Sequence, residues 1–236
     1  MALPKISHPT FTAEIPSTKK KITLRPFLVK EEKILLMAKA SEDPADVLAA
    51  VKQIVNNCVV DDKFDIDSIA IFDLEYLFIR IRASSVNNVS KLTYKDFEDE
   101  KEYTFEIDLN DIKVDFPKNV SNKIQISPES GILMKYPSAS LYDDKEFLNA
   151  QDDSLFELIV RCIDKVYDGE EMYSAANHSK KDVADFLENL DVKTFESIRE
   201  FLQNVPKLSH VINYKNSFGN DRKIELNTLS DFFTLR

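Results

Sequence analysis

Apolar residues recur every three or four positions in two parts of the chain and every second position in two others. The first period is that of an amphipathic helix and the second that of a half-buried strand. From Val29 a Pro-free run reads as a first helix. Asp43 and Pro44 then open a second, as N-cap and first helical residue, ahead of the stripe Val47, Leu48, Val51, Ile54, Val55 and Cys58. Ile66, Ile69, Ala70, Leu74, Leu77, Phe78 and Ile81 mark a third, with Ile71, Phe72, Tyr76 and Ile79 adding apolar surface on its other faces. A helix apolar on most sides is buried or sandwiched, so its ionic residues, Asp73, Glu75, Arg80 and Arg82, are expected in structural ion pairs.

Period two begins near residue 90. Tyr103, Phe105, Ile107 and Leu109 alternate with polar residues, then Ile112, Val114 and Phe116 do the same. Two short strands, 123–127 and 132–136, flank the turn formers Ser127 to Gly131. Helical spacing returns at Leu155, Leu158, Ile159, Cys162, Ile163 and Val166, ending near Asp168-Gly169. Ser179 and Asp182 read as a capping box before Val183, Phe186, Leu187 and Leu190, and Phe195 to Leu202 form another helix closed by Pro206. Leu208 to Tyr214 and Lys223 to Leu226 make a terminal hairpin around Asn216 to Asp221, before a short helix over Leu229 to Leu235. The pattern therefore predicts an α+β fold, mostly helical, with a small antiparallel sheet inserted in the middle and a C-terminal β-hairpin. Its regions are an extended strap over 1–28, helices over 29–88, strands over 89–142, helices over 143–206, and the hairpin with its short helix over 207–236.

The strap has no period of either kind. Pro4, Pro9, Pro16 and Pro26 forbid a regular helix and favour an extended, polyproline-like path. Phe11, Ile15, Ile22, Leu24 and Phe27 are too few to make a core of their own and need another surface. That surface is the chain's own helical region or a neighbouring subunit, since both demand the same residue types. These five, with Arg25 and the terminal Phe232 and Phe233, are the candidate partner-binding residues; packing in the core is the competing role for each.

Composition narrows the chemistry. The chain has 236 residues, 43% of them hydrophobic and 31% charged, and is long enough to bury its own core. Three glycines argue against phosphate loops and dinucleotide fingerprints. A net charge of −10 disfavours nucleic-acid and anionic-membrane partners. The one basic cluster, Lys19 to Lys21 with Arg25, reads as a solvated loop or a docking point for an acidic surface. Cys58 and Cys162 lie in apolar helical patterns as buried thiols, and the N-terminus lacks a signal-peptide core, so cytoplasmic synthesis is expected.

No nucleophile elbow, P-loop, His-Glu-x-x-His helix or metal-spaced Cys/His set is present, and no enzymatic activity or cofactor is expected. The paired carboxylates, Asp152-Asp153 among them, sit at turns and helix starts where they favour the helix dipole. The acidic stretch Asp96 to Glu102 reads as a solvated loop leading into a strand.

The N-terminal passage Pro16-Ser17-Thr18 … Arg25-Pro26-Phe27-Leu28-Val29-Lys30-Glu31-Glu32-Lys33 resembles that of the T4-type bacteriophage baseplate proteins, the tail-hub proteins of about this length. The order of helices, sheet, helices and hairpin with a Phe-Phe ending agrees more loosely. The resemblance implies a nonenzymatic component of a contractile tail's baseplate hub, or a factor that assembles the hub, docking on other tail proteins in the virion. The terminal hairpin is laid out like a zinc knuckle, and the family's turn can carry Cys-x-x-Cys-Gly. Here it reads Asn216-Ser217-Phe218-Gly219, so the glycine remains without either sulfur and no metal is expected.

Overall fold

The computed structural model describes residues 8–41, 44–85, 87–148 and 154–232. They form two compact units, one made of the chain up to Asp115 together with Lys207 onward, the other of Phe116–Pro206.

In the first unit the strap is a β-hairpin. β1 (Phe11–Glu14) pairs antiparallel with β2 (Lys21–Leu24), Phe11 opposite Leu24. Pro16 is at the corner between them, where its missing N–H costs nothing. The hairpin lies along its own chain. Arg25 N donates to Cys58 O at 2.8 Å, Val60 N to Thr23 O at 2.9 Å, and Thr23 N to Asp61 Oδ2 at 2.7 Å. The polyproline path expected from proline content is thus replaced by strands placed between the prolines.

Helices α1 (Val29–Ser41) and α2 (Pro44–Cys58) follow, then a 3-10 turn over Ile66–Ser68 and α3 (Ile71–Ser85). The proposed cap Asp43 lies outside the described residues. Along α3, Phe72, Leu74, Leu77, Phe78, Ile79 and Ile81 are all buried, as expected for a helix apolar on most sides. Its buried carboxylate takes two hydrogen bonds from the strap: Asp73 accepts from Ser17 N at 2.9 Å and Ser17 Oγ at 2.5 Å. β3 (Val89–Lys95) and β4 (Glu102–Asp108) form a second hairpin. β5 (Lys113–Asp115) joins no neighbour in sequence.

The second unit opens with β6 (Lys123–Gln125) and β7 (Ser130–Met134), then α4 (Lys145–Leu148) and α5 (Ser154–Cys162). The chain leaves α5 directly into β8 (Ile163–Asp168) and returns along β9 (Glu171–Ser174), giving an antiparallel sheet ordered β6-β7-β8-β9. α6 (Lys180–Glu188) begins on the expected capping box, Asp182 N to Ser179 Oγ at 3.1 Å and Ser179 N to Asp182 Oδ2 at 3.0 Å; α7 (Val192–Gln203) begins on Asp191. Ile132, Met134, Ile159, Cys162, Ile163, Ile198 and Phe201 form the core of this unit.

Back in the first unit, β10 (Lys207–Lys215) and β11 (Asp221–Leu226) form the expected terminal hairpin, and β5 completes a sheet ordered β11-β10-β5. A 3-10 turn over Leu229–Phe232 stands where the short terminal helix is predicted.

The fold is therefore not mostly helical with one small inserted sheet. Among the described residues there are four antiparallel sheets of two to four strands. The helix predicted through Val166 ends at Cys162. Ile163 and Val166 fit both periods, and pairing with β7, Met134 opposite Ile163 and Ile132 opposite Val166, selects the strand. Strands predicted to be local partners are also divided, because β5 pairs with β10, Val114 opposite Leu208.

Candidate docking surface

Most of the strap's apolar residues are buried in the chain itself. Ile15, Ile22 and Leu24 are buried, Leu24 completely, and Phe11 is half-buried opposite it. Phe27 is half-buried with its ring 5.6 Å from that of Phe78, and its N–H donates to Ser85 Oγ at 2.7 Å. Phe232 is fully buried, and its carbonyl accepts from Ser90 Oγ at 3.1 Å. Phe233 lies outside the described residues.

Arg25 is also engaged internally. Its guanidinium grips Glu31 with two N–H···O bonds of 2.9 and 3.2 Å and donates to the carbonyls of Asn57 at 2.7 Å and Pro26 at 3.0 Å. Glu31, with no exposed side chain, also accepts from Leu28 N at 3.0 Å. Burial pushes the Glu31 carboxyl up, but the Arg25 and Leu28 hydrogen bonds outweigh it and hold the group below its ordinary value. The short links between strap and α1 thus act as a folded joint.

The acidic stretch predicted to be a free loop is bound. The β3–β4 loop lies against the β10–β11 turn, and the two are joined side chain by side chain. Asp96 accepts from the Tyr214 hydroxyl and from Arg222 Nε at 3.0 Å. Glu98 takes the amides of Asn216 at 2.6 Å and Asn220 at 2.7 Å, and Asp99 accepts from Ser217 N at 2.8 Å and Tyr103 Oη at 2.6 Å. Beneath this clasp, Tyr103 and Phe105 pack on Tyr214 with ring centroids 5.0 and 5.1 Å away. Desolvation and the Asp96 hydrogen bond push the Tyr214 hydroxyl up to about 12. Desolvation also raises Asp99, but the bonds from Tyr103 and Ser217 overcome it and leave that carboxyl well below the usual range.

At the β10–β11 turn, Asn216 organises the backbone. Its side-chain oxygen accepts from Phe218 N at 3.1 Å and Asn220 N at 3.0 Å, and Gly219 N closes on Asn216 O at 3.0 Å. Gly219 has φ of +85°, a conformation open to glycine and strained for other residues.

Two rings are left outside the clasp. Phe97, at the tip of the β3–β4 loop, is 85% exposed, and Phe218, at the tip of the β10–β11 turn, is 65% exposed. Neither was singled out from sequence. The available signal was an aromatic residue set among turn formers, as in Asp96-Phe97-Glu98 and Ser217-Phe218-Gly219, where no period gives the ring a core to enter. Val29, Leu36 and Met37 on α1 are also exposed.

Catalytic chemistry has little to start from. Burial pushes the Cys58 thiol up to about 11 and the Cys162 thiol up to about 12, away from nucleophilic thiolate. In the second unit Arg161 bonds Asp144 and Glu157, and Lys180 pairs with Glu157 at 2.7 Å and Glu146 at 2.9 Å, so these carboxylates hold α4, α5 and α6 together. Among the described residues no group of three or more His, Cys, Asp or Glu could hold a metal ion, and no helix is long and apolar enough to cross a membrane.

The β3–β4 and β10–β11 hairpins are thus joined by a polar clasp and leave two aromatic rings exposed at their tips. Residues 8–234 match the T4 bacteriophage base plate protein family, and the chain belongs to it. It is accordingly a phage baseplate protein, of a structural family and not a known family of enzymes. No curated protein and no solved structure matches the chain.

Proposed function

We propose that the protein is a nonenzymatic structural component of the baseplate hub of a contractile phage tail, retained in the virion and acting by docking on other tail proteins. The family match over nearly the whole chain carries this reading. The resemblance of the Arg25-Pro26-Phe27 passage to that of tail-hub proteins adds the assignment to the hub. Large apolar side chains left in water, Phe97, Phe218, Leu36 and Met37, support docking as the mechanism, because such groups supply much of the energy of protein interfaces. The strap residues Phe11, Ile15, Ile22, Leu24, Arg25 and Phe27 and the terminal Phe232 serve docking indirectly in this reading. They set the positions of the helices and hairpins that carry the exposed groups.

The test is quantitative mass spectrometry of purified particles. The expected result is this protein at a small, fixed ratio to the other tail components. Its absence from finished particles, with assembly failing when it is deleted, would replace the structural role with that of a hub assembly chaperone.

A further inference from the structure

We propose that Phe97 and Phe218 are a paired aromatic anchor that enters an apolar pocket rimmed by lysine and arginine on another baseplate protein. This deepens the docking role proposed above and rests on it.

The two rings have almost no internal duty. Phe97 meets Tyr94 edge-on at 6.0 Å and is otherwise in water, while Phe218 has its backbone fixed by Asn216 and its ring exposed. A solvated ring in a loose loop would lose much of its binding energy to ordering. These loops are already ordered. Glu98 holds Asn216 and Asn220, Asp99 holds the backbone of Ser217, and Asp96 holds Tyr214 and Arg222, so both tips are tied to one another and to their strands. Preorganisation of this kind lowers the entropic cost of association. Glu100 adopts a left-handed φ of 57°, uncommon for a residue with a side chain, and so contributes to the fixed shape of the loop.

Charge selects the partner. Around the rings the carboxylates Asp96, Glu98, Asp99, Glu100, Glu102 and Asp221 outnumber the cations: Arg222 lies 3.0 Å from Asp96 and 3.7 Å from Glu98, Lys95 stands opposite Glu102, Lys215 pairs with Asp221 at 3.0 Å, and Lys101 is in the loop, so the surface keeps a net negative charge. An acidic rim around apolar centres is complemented by a basic rim around an apolar pocket, and like charge there would oppose binding. A second copy of this chain, with a net charge of −10, is the less favourable occupant.

A phage lacking this gene is complemented with wild-type protein, Phe97→Ala, Phe218→Ala, the double variant, and Glu100→Lys with Glu102→Lys. Infectious titre and copies of the protein per particle are measured, and each isolated variant is melted. The expected result is a loss of titre of at least about tenfold for the double variant, a smaller loss for each single variant, a loss on charge reversal, and unchanged melting for the three ring variants. A double variant with wild-type titre overturns the anchor and leaves the structural reading intact. Wild-type titre after charge reversal overturns the basic rim. A lowered melting temperature in the double variant overturns the assignment as a surface anchor, because the rings would then serve the fold. Absence of the wild-type chain from particles overturns retention in the virion without touching the anchor, which titre still reads.

Discussion

Replacing Glu31 by Gln isolates the joint between strap and helix. The side chain keeps its size but loses its charge, and its amide can offer one acceptor oxygen where the carboxylate receives two Arg25 bonds and Leu28 N–H. Arg25 is only 15% exposed, so water replaces little of what is lost. Removing one partner of a buried pair costs about 3–5 kcal/mol. The lower end, about 3 kcal/mol, applies here because Asn57 O and Pro26 O still receive the guanidinium. That corresponds to a fall in Tm of roughly 6–12 °C. Urea unfolding followed by circular dichroism at pH 7 measures it. The pH dependence has a definite sign. Because the carboxyl is held below its ordinary value of 4.5, its contribution is complete above that pH and is lost as pH falls through the lower folded value. The gap between wild type and variant should therefore close on acidification below 4.5. Arg25→Met with Glu31→Leu should recover part of the loss by replacing the pair with apolar contacts. A loss under about 1 kcal/mol, or a double variant no more stable than Glu31→Gln, would refute the reasoning.

Glu75 should give the opposite slope. Desolvation, with the Asp231 carboxylate adding to it, pushes Glu75 up to about 7, so stability should fall as pH rises from 4.5 to 7 and then level off. Glu75→Gln should remove that fall and stabilise the protein by about 3 kcal/mol at pH 8, read by urea titration at several pH values. Asn216→Ala removes the acceptor for two turn N–H groups and the donor to Glu98, and should cost about 3 kcal/mol in the same assay, with increased amide exchange at Phe218 and Asn220. An unchanged exchange rate there would show that the turn holds without it. Gly131→Ala should disrupt the four-stranded sheet, since the added Cβ would overlap the Ile124 carbonyl oxygen and the Tyr167 hydroxyl. A loss of about 2 kcal/mol or more is expected in thermal unfolding, and a neutral outcome would mean that the strands can separate freely there.

Local chemistry carried a large part of the fold. The stripe on α2, the all-round apolar surface of α3, the capping box of α6 and the alternation of β10 and β11 each depend on residues within one turn or one strand of each other, so their spacing is visible in the chain. Pairing is a different matter. Ile163 and Val166 suit helix and strand equally, and only β7 alongside makes them a strand. Phe11 to Leu24 looks like a proline-rich arm until the two short strands between the prolines meet each other. The same limit governed the docking surface. Asp96, Glu98 and Asp99 are an ordinary acidic run in sequence, and the residues that bind them stand more than a hundred positions away at Tyr214, Asn216, Ser217, Asn220 and Arg222. Buried roles for Leu24 and Phe232 and exposed ones for Phe97 and Phe218 follow from the same cause. All four are apolar residues near turns, and which of them meets water depends on what the rest of the chain brings against it. Periodicity encodes the face a residue takes within its own element, whereas partners distant in sequence set what covers that face.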